Sequence, residues 1–555
     1  MNMWPLLGVA LVVLGFARRW NPVLVVVSAG VLSGLLAGYS FAQILALLGN
    51  SFESNRALLL YVLTLPAIGL LERAGLREHA QRWIEHLHGL TLSRLLIGYL
   101  GLRQILSMLG LTNVAGQAQT VRPLLAPMAE AAATRESPGA DAATAAQIRE
   151  EARALAAATD NIGLFFGEDV FIALGAVLLI QGFYASQGID LQPLRIALWA
   201  LPTAIAASSS TLCACSSPRA PWRAAHVPPR PTTTMLHLEW AYAALALLLI
   251  GTAWLNLRQH HWAQAAFWAV LAALFANGNW VLRAQQSGDA QPAQIAGIGV
   301  LALALLAPAM RRVDAGEAPP RLRQLRAGVL GHWLFMPALL IPGVTLLVAL
   351  FGADLHWRGT PLFVASQQTL MGLSVASLIA LLAAWRLTRA PAGAVLHESR
   401  RLIDTLGWAA LLPLVLAALG GVFEAAGVGR VLATLMGDVI PTTSFAARVL
   451  AYGLGMVVFT AIMGNAFAAF PVLTAGVGLP LLVRLHGADP AVVGSLGMLC
   501  GYCGTLLTPM AANFNIVPVA LLELKNPWSV IRAQWPTALP LLVFNLFALY
   551  LLAMR

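Results

Sequence analysis

The chain has 555 residues, of which 59% are hydrophobic and only 10% are charged. Soluble proteins average about 25% charged residues, so this composition excludes a soluble enzyme, a disordered protein and a coiled coil, and it indicates a polytopic membrane protein in contact with a lipid bilayer. The net charge of +10 comes from arginines gathered in short loops, where positive residues fix orientation in a bilayer, so it does not indicate binding of nucleic acid.

The first part of the chain, residues 1–207, contains a series of apolar stretches. A membrane helix needs about 20 mostly apolar residues. The predicted helices are 3–17, 22–39, 57–71, 95–111, 162–182 and 194–207. Arginines at 18–19 and between 73 and 94 are predicted to face the cytoplasm. Residues 129–160 are polar and are expected to form a solvated helix.

A segment rich in Pro, Ser and Arg, residues 208–235, separates this part from the rest. Its prolines exclude a membrane helix, and the helix before it is expected to end near Ala207. Two interpretations stay open: a flexible linker, or two proteins joined by a frameshift that scrambled the end of the first. Sequencing the gene across codons 205–236 distinguishes them.

The second part, residues 236–555, has a longer series of apolar stretches. The predicted helices are 238–256, 262–282, 293–310, 330–352, 361–384, 402–422, 449–463, 475–485, 491–507 and 535–554. Both parts together predict an all-α polytopic membrane protein with about 14 to 16 transmembrane helices, among them broken helices and re-entrant hairpins.

Enzyme signatures are missing from the sequence. It contains no HExxH, GxSxG or Walker sequence and no Asp-rich metal box. Cys500 and Cys503 have CxxC spacing, but they lie in an apolar segment without a second pair, which favours packing over zinc or redox chemistry. We therefore predict no enzymatic activity, no cofactor and no metal site.

Polar side chains next to helix breakers identify candidate binding segments. In lipid every backbone N–H and C=O must be paired, so irregular backbone survives only where it lines a cavity or is buried in protein. Secondary transporters build their sites from such breaks. The predicted substrate-binding residues are Asn113, Gln117, Gln119, Thr120 and Arg122 within 110–123, Asn161 within 160–169, Asn465 within 463–471, and Thr505, Thr508, Asn513 and Asn515 within 501–518.

Two points about charge stay open at this stage. Arg122 either pairs with a substrate carboxylate or extends to lipid headgroups. Glu168 and Asp169 either enter the membrane or lie at its interface. With amides, hydroxyls and few buried charges, the pattern predicts a carrier of a small polar or anionic solute, coupled to Na⁺ or protons.

Several sequence blocks resemble a known bacterial family, the two-subunit 5-oxoproline (pyroglutamate) transporters. The first part resembles the smaller subunit in LTLPAIGLLERAGL, VRPLLAPMAEAAA and NIGLFFGEDVFIALGA. The second part resembles the larger subunit in MGNAFAAFPVLTAGVGLPLLV and GYCGTLLTPMAANFNIVPVALLELK. The resemblance implies ion-coupled uptake of 5-oxoproline across the bacterial inner membrane by two subunits fused into one chain. At fold level it also implies a place in the ion-transporter superfamily, which has inverted repeats and re-entrant hairpins.

Alternatives to that function remain at the sequence level. One is a permease for another small organic anion, such as a dicarboxylate. Two others belong to different classes: a membrane subunit that does not transport, and an intramembrane enzyme. A homo-oligomer is compatible with the sequence as well.

Overall fold

The structure is a computed structural model. It describes residues 3–18, 20–86, 91–108, 116–137, 141–170, 175–213, 237–310, 318–352, 355–357, 360–363, 367–428, 431 and 444–553. The predicted site residue Asn113 lies outside the described residues, and so do residues 214–236, which make up most of the predicted linker.

The first part of the chain is helical wherever it is described, because helices pair all their own backbone groups and therefore suit lipid. Its α-helices are α1 (Leu6–Ala17), α2 (Pro22–Leu36), α3 (Phe41–Ser54), α4 (Leu65–Arg73), α5 (Leu76–His86), α6 (Leu92–Met108), α7 (Ala126–Glu136), α8 (Ala142–Glu168), α9 (Gly175–Ser186) and α10 (Pro193–Cys213). A 3₁₀ helix covers Arg56–Thr64, and a π-helix covers Gln117–Leu125.

The second part is helical as well, apart from one short hairpin of strands. Its α-helices are α11 (Leu238–Arg258), α12 (Trp262–Gln286), α13 (Gln291–Leu306), α14 (Pro320–Leu330), α15 (Phe335–Phe351), α16 (Gln368–Thr388), α17 (Ala392–Leu406), α18 (Leu412–Ala425), α19 (Phe445–Met463), α20 (Ala466–Leu473), α21 (Pro490–Leu507), α22 (Ala512–Asn515), α23 (Val517–Leu521) and α24 (Ser529–Ala553). Three 3₁₀ helices cover Ala307–Ala309, Gly331–Leu334 and Gly407–Ala410, and a π-helix covers Thr474–Arg484. The antiparallel strands β1 (His356–Trp357) and β2 (Thr360–Pro361) pair His356 with Pro361.

The protein is an all-α polytopic membrane protein, as its composition predicts. Among the described residues, ten helices are long and apolar enough to cross a membrane, or up to eleven if the pair Phe41–Ser54 and Arg56–Arg73, bent by 43°, forms one span. The predicted count of 14 to 16 is higher than this. Length explains the difference, because apolar helices such as Pro22–Leu36, with 15 residues, fall short of the roughly 20 that a span needs.

Two helix ends differ from the prediction. The helix expected to end near Ala207 continues to Cys213, since serine and threonine do not stop a helix and the first proline comes only at Pro218. The single helix predicted over 162–182 is interrupted: α8 ends at Glu168 and α9 begins at Gly175. The polar stretch before it is not a separate solvated helix, because α8 runs from Ala142 without a break.

One order of elements occurs twice in the chain: a helical hairpin, a long buried helix that ends in the interior, a short helical part and a final long helix. The first copy uses 92–136, 142–168, 175–186 and 193–213. The second copy uses 445–484, 490–507, 512–521 and 529–553.

Contacts between the two copies show that they run in opposite directions. Going along α8 and α9, Asn161 contacts Phe514 and Glu168 contacts Tyr502. Further on, Ile180 packs against Gly494. The sequence number therefore rises in one copy while it falls in the other, so the two copies run antiparallel where they touch.

The two hairpins also open toward opposite ends of α24. This helix begins beside the polar turns of α8 that follow the first hairpin, where Glu150 Oε1 accepts a hydrogen bond from the backbone N–H of Lys525 at 2.9 Å. It ends beside the second hairpin, whose first residue Phe445 contacts Tyr550 with ring centres 5.7 Å apart. The described parts of the two hairpins thus lie at opposite ends of α24.

Apolar side chains form two large separate cores. The first includes residues of α1–α4, α11–α13 and α16–α18, and the second includes residues of α8–α10, α19–α21 and α24. Leu506, near the end of α21, lies in the second core, whereas Met510 and Ala512 lie in the first. The chain therefore passes from one core to the other at the interruption between α21 and α22.

Candidate functional site

Three of the predicted binding segments meet at Asn161, which is fully buried on α8. Its Nδ2 donates a hydrogen bond to the carbonyl oxygen of Phe514 at 2.7 Å. Its Oδ1 accepts one from Nε2 of Gln117 at 3.1 Å. Asn161 therefore joins the π-helix of the first hairpin to the interrupted segment of the second copy, and we name the region around it the crossing point.

The interruption after α21 is held open by side chains. Pro509 has no N–H and disfavours a helical residue before it, and Thr508 is extended, with φ −116° and ψ 137°. The carbonyl groups left without helical partners are taken up by Asn515, whose Nδ2 lies 2.9 Å from the oxygen of Thr505 and 2.6 Å from that of Thr508. Thr505 and Asn515, both predicted as ligands, thus maintain the shape of the break.

The tip of the second hairpin lies against this break. Thr508 Oγ1 donates to the carbonyl of Ala461 at 2.7 Å. Gly464 adopts a left-handed conformation, φ 73°, directly against the carbonyl of Met510, where a larger side chain would be strained and would collide. Asn465 is exposed, and its Oδ1 caps α20 by accepting from the N–H of Phe467 at 2.9 Å.

Some polar atoms of the crossing point have no partner. Gln117 Oε1 and Thr120 Oγ1 are buried and make no hydrogen bond to any described residue. Asn513 is partly exposed, and its side chain makes none in the described part of the chain either. Gln119 is satisfied locally, because its Oε1 accepts from the N–H of Gly116 at 3.3 Å. An unpaired buried polar group costs about 1–3 kcal/mol, so these open atoms are suited to a polar ligand.

Arg122 lies elsewhere and contacts carboxylates of the protein itself. It is 2% exposed, so it does not extend to headgroups. Its Nε lies 2.9 Å from Glu72 Oε1 and its Nη2 lies 3.0 Å from Glu523 Oε1, and Nη1 also contacts the carbonyl of Leu521. With its donors engaged inside the protein, Arg122 is not open to a substrate carboxylate in this conformation.

These contacts belong to a larger group, which we name the ionic cluster: Glu72, Arg73, Arg77, Arg122, Glu398, Arg401 and Glu523. Glu72 Oε2 accepts from Arg401 Nη2 at 2.9 Å, which ties α4 to α17. Burial raises the pKa of Glu523, but the guanidinium groups of Arg122 and Arg77 lower it more, and the pKa lies below its ordinary value.

The expectation of few buried charges is therefore wrong. Besides the ionic cluster, Arg103 Nε pairs with the buried Asp160 at 2.8 Å, and Tyr99 donates to the same carboxylate at 2.7 Å. Both of these partners stand about 60 positions before Asp160 in the chain. Local spacing does not indicate such distant partners, so they could not be predicted from the sequence.

A pair of carboxyl groups follows at the end of α8. The hydroxyl of Tyr502 lies 2.6 Å from Glu168 Oε1 and 3.0 Å from Asp169 Oδ1. Asp169 is 2% exposed and therefore lies inside the protein. Tyr502 went unnoticed in the sequence because it stands in an apolar run.

A cavity of about 1020 Å³ leads from the surface to the interruption. Pro509 and Ile516, on either side of α22, form part of its wall. The remaining lining residues are Trp20, Pro22, Gln147, Glu150, Glu151, Ala154, Leu155, Trp408, Lys525, Asn526, Pro527, Trp528, Ser529, Arg532 and Ala533. Residues from distant parts of the chain line this cavity, and the sequence did not predict it.

Comparisons with known proteins give families but no activity. Residues 239–554 match the family described as "Protein of unknown function (DUF979)", and residues 3–216 match the one described as "Protein of unknown function (DUF969)". No curated protein matches the chain. The chain is similar to a solved structure titled "Crystal structure of the Alcanivorax borkumensis YdaH transporter reveals an unusual topology", with 15% identity over 91% of this chain and 86% of that one, at a TM-score of 0.32. A TM-score this low carries no argument about fold or function.

Proposed function

The chain belongs to the family of proteins of unknown function DUF979, and we propose that it is a secondary transporter for a small organic anion, with 5-oxoproline as its substrate. The membrane is the bacterial inner membrane, and uptake is driven by Na⁺ or protons. The parts 1–207 and 236–555 act as one fused carrier, joined through 208–235.

One observation carries the proposal: a broken helix, two hairpins and an open cavity converge on one polar spot. Asn161 connects the first hairpin with the segment 512–515, and Gly464 at the tip of the second hairpin lies against Met510. Pro509, in the same interruption, forms part of the cavity wall. Irregular backbone among uncharged polar side chains is how secondary transporters hold a solute inside a membrane.

The chemistry of 5-oxoproline suits this spot. Its lactam offers one N–H and one C=O, and the open Oε1 of Gln117 and the side chain of Asn513 supply matching acceptors and donors. The predicted ligands thus divide into two groups. Gln117, Thr120 and Asn513 are available to the substrate, while Asn161, Thr505, Thr508 and Asn515 hold the site in shape.

Uptake of labelled 5-oxoproline into proteoliposomes tests the proposal, with Na⁺ and proton gradients imposed separately. We expect accumulation under one of the two gradients and none without either. Liposomes that accumulate no substrate under any gradient, although they contain folded protein, would contradict the proposal. Competition by succinate at the same concentration as 5-oxoproline would instead favour a dicarboxylate permease.

A further inference from the structure

The cavity that ends at Pro509 combines exposed positive charges with indole rings. Trp20, Trp408 and Trp528 contribute three indoles to its wall. Lys525 and Arg532 contribute two cations, and Lys525 is the single lysine of the chain. A binding function for this cavity rests on the proposed transport function and adds a second, outer site to it.

The acidic residues of the cavity accept hydrogen bonds from neutral groups. Glu150 Oε1 accepts hydrogen bonds from the backbone N–H groups of Lys525 and Asn526 at 2.9 and 3.2 Å. Glu151 Oε1 accepts from Gln147 Nε2 at 2.8 Å. Neither carboxylate forms an ion pair with a cation of the cavity within the described residues.

The two cations remain open to the cavity. The side chains of Lys525 and Arg532 are exposed, and neither forms an ion pair with a described residue. A carboxylate entering this space meets two positive side chains, with which it can form charge-assisted hydrogen bonds. The crossing point offers no such partner, because Arg122 is engaged with Glu72 and Glu523.

The indole rings of the cavity favour a ligand with a compact ring. Trp20 and Trp528 are 49% and 40% exposed, so large parts of their rings remain available for contact. Indole side chains pack well against a compact ring and keep a polar N–H for its substituents. Ligand pockets commonly measure about 300–1,000 Å³, and this cavity of about 1020 Å³ has room for a small cyclic acid with its water.

We infer that this cavity is an entry site for small cyclic monocarboxylates, in which Lys525 and Arg532 hold the carboxylate and Trp20, Trp408 and Trp528 contact the ring. The acid then passes Pro509 to reach the crossing point. Selection for a carboxylate takes place at this outer site, and recognition of the lactam takes place further in.

The experiment measures binding of 5-oxoproline to purified full-length protein by isothermal titration calorimetry, together with the KM of uptake. For Lys525→Gln and for Arg532→Gln we expect Kd and KM to rise about tenfold each, the loss of one charge-assisted hydrogen bond. Arg283→Gln is the matched control, since Arg283 is 77% exposed and does not line the cavity, and we expect it to keep the values of the unmodified protein.

Two results separate this inference from the proposed function. If the unmodified protein takes up 5-oxoproline and both cavity variants keep its Kd and KM, the entry site is overturned while transport stands. If the unmodified protein takes up no 5-oxoproline, the binding measurements decide. Weaker binding of 5-oxoproline or pyrrole-2-carboxylate by both variants than by the unmodified protein supports the entry site. Equal binding by all three proteins overturns it.

Discussion

The interior of this protein holds two polar regions that differ in how far their polar atoms are paired. In the ionic cluster both oxygens of Glu72 have guanidinium partners, Arg122 on one side and Arg401 on the other. At the crossing point Gln117 Oε1 and Thr120 Oγ1 have no partner among the described residues. The difference separates structure from function, because paired charges hold helices together, whereas unpaired polar atoms are open to a ligand.

Glu72→Gln breaks the ionic cluster and is expected to have the largest effect on stability. Arg122 and Arg401 lose the charge between them, and removing one partner of a buried ion pair costs about 3–5 kcal/mol of stability. Thermal unfolding and size-exclusion profiles of the purified protein measure this loss. Glu239→Gln is the control, since Glu239 is 52% exposed in its pair with Arg283. An unchanged unfolding temperature for Glu72→Gln would show that the cluster does not hold the fold.

Asn515→Ala tests the part of the crossing point that is saturated. It leaves the carbonyls of Thr505 and Thr508 and the amide of Gln534 without their partner, so we expect a loss of about 1–3 kcal/mol together with loss of uptake. Unfolding and uptake are measured on the same preparation. Asn277→Ala removes an exposed asparagine that bonds only within its own helix, and it should leave both quantities unchanged.

Thr508→Val separates the break from the second hairpin. The hydroxyl that donates to Ala461 and accepts from the N–H of Met510 is lost at nearly constant shape. Each lost hydrogen bond costs about 0.5–1.5 kcal/mol, and we expect a folded protein without uptake. Thr345→Val is the matched control, because Thr345 is equally buried but bonds to Ile341 in its own helix. Full uptake by Thr508→Val would remove this contact from the transport cycle.

Asn513→Ala removes an unpaired polar side chain of the crossing point and tests whether such a group binds substrate without stabilising the fold. Its side chain bonds to no described residue, so stability should stay within about 0.5 kcal/mol of the original. Uptake should nevertheless be abolished, since the substrate loses a partner. Normal transport in this variant would exclude Asn513 as a ligand.

Arg195→Gln is expected to have the smallest effect. Arg195 pairs with Asp489 at 2.9 Å but is 63% exposed, and such surface pairs contribute about 0–1 kcal/mol. Uptake and unfolding should both match those of the unmodified protein. A strong loss of uptake would mean that the N-terminal turn of α10 takes part in transport.

Local patterns in the sequence predicted the breaks within 463–471 and 501–518, although they missed the interruption between α8 and α9. The reason for the two correct predictions is local as well. Pro509 lacks the N–H that α21 needs to continue, and Gly464 tolerates the left-handed turn at the tip of the second hairpin. The partners of the candidate residues were not predictable in this way. Arg122 and Glu523 stand 401 positions apart, and nothing in either segment indicates the other.

Composition and residue order by themselves determined that the chain is a helical membrane protein and that its helices break at Gly464 and Pro509, because hydropathy and backbone breakers act within a few residues. Only the tertiary structure decided what those interruptions face. It placed Asn161 against Phe514, engaged Arg122 with Glu72, and opened a cavity beside Pro509. Pairing in the interior depends on which helices become neighbours. The antiparallel packing of two distant parts of the chain determines which helices those are.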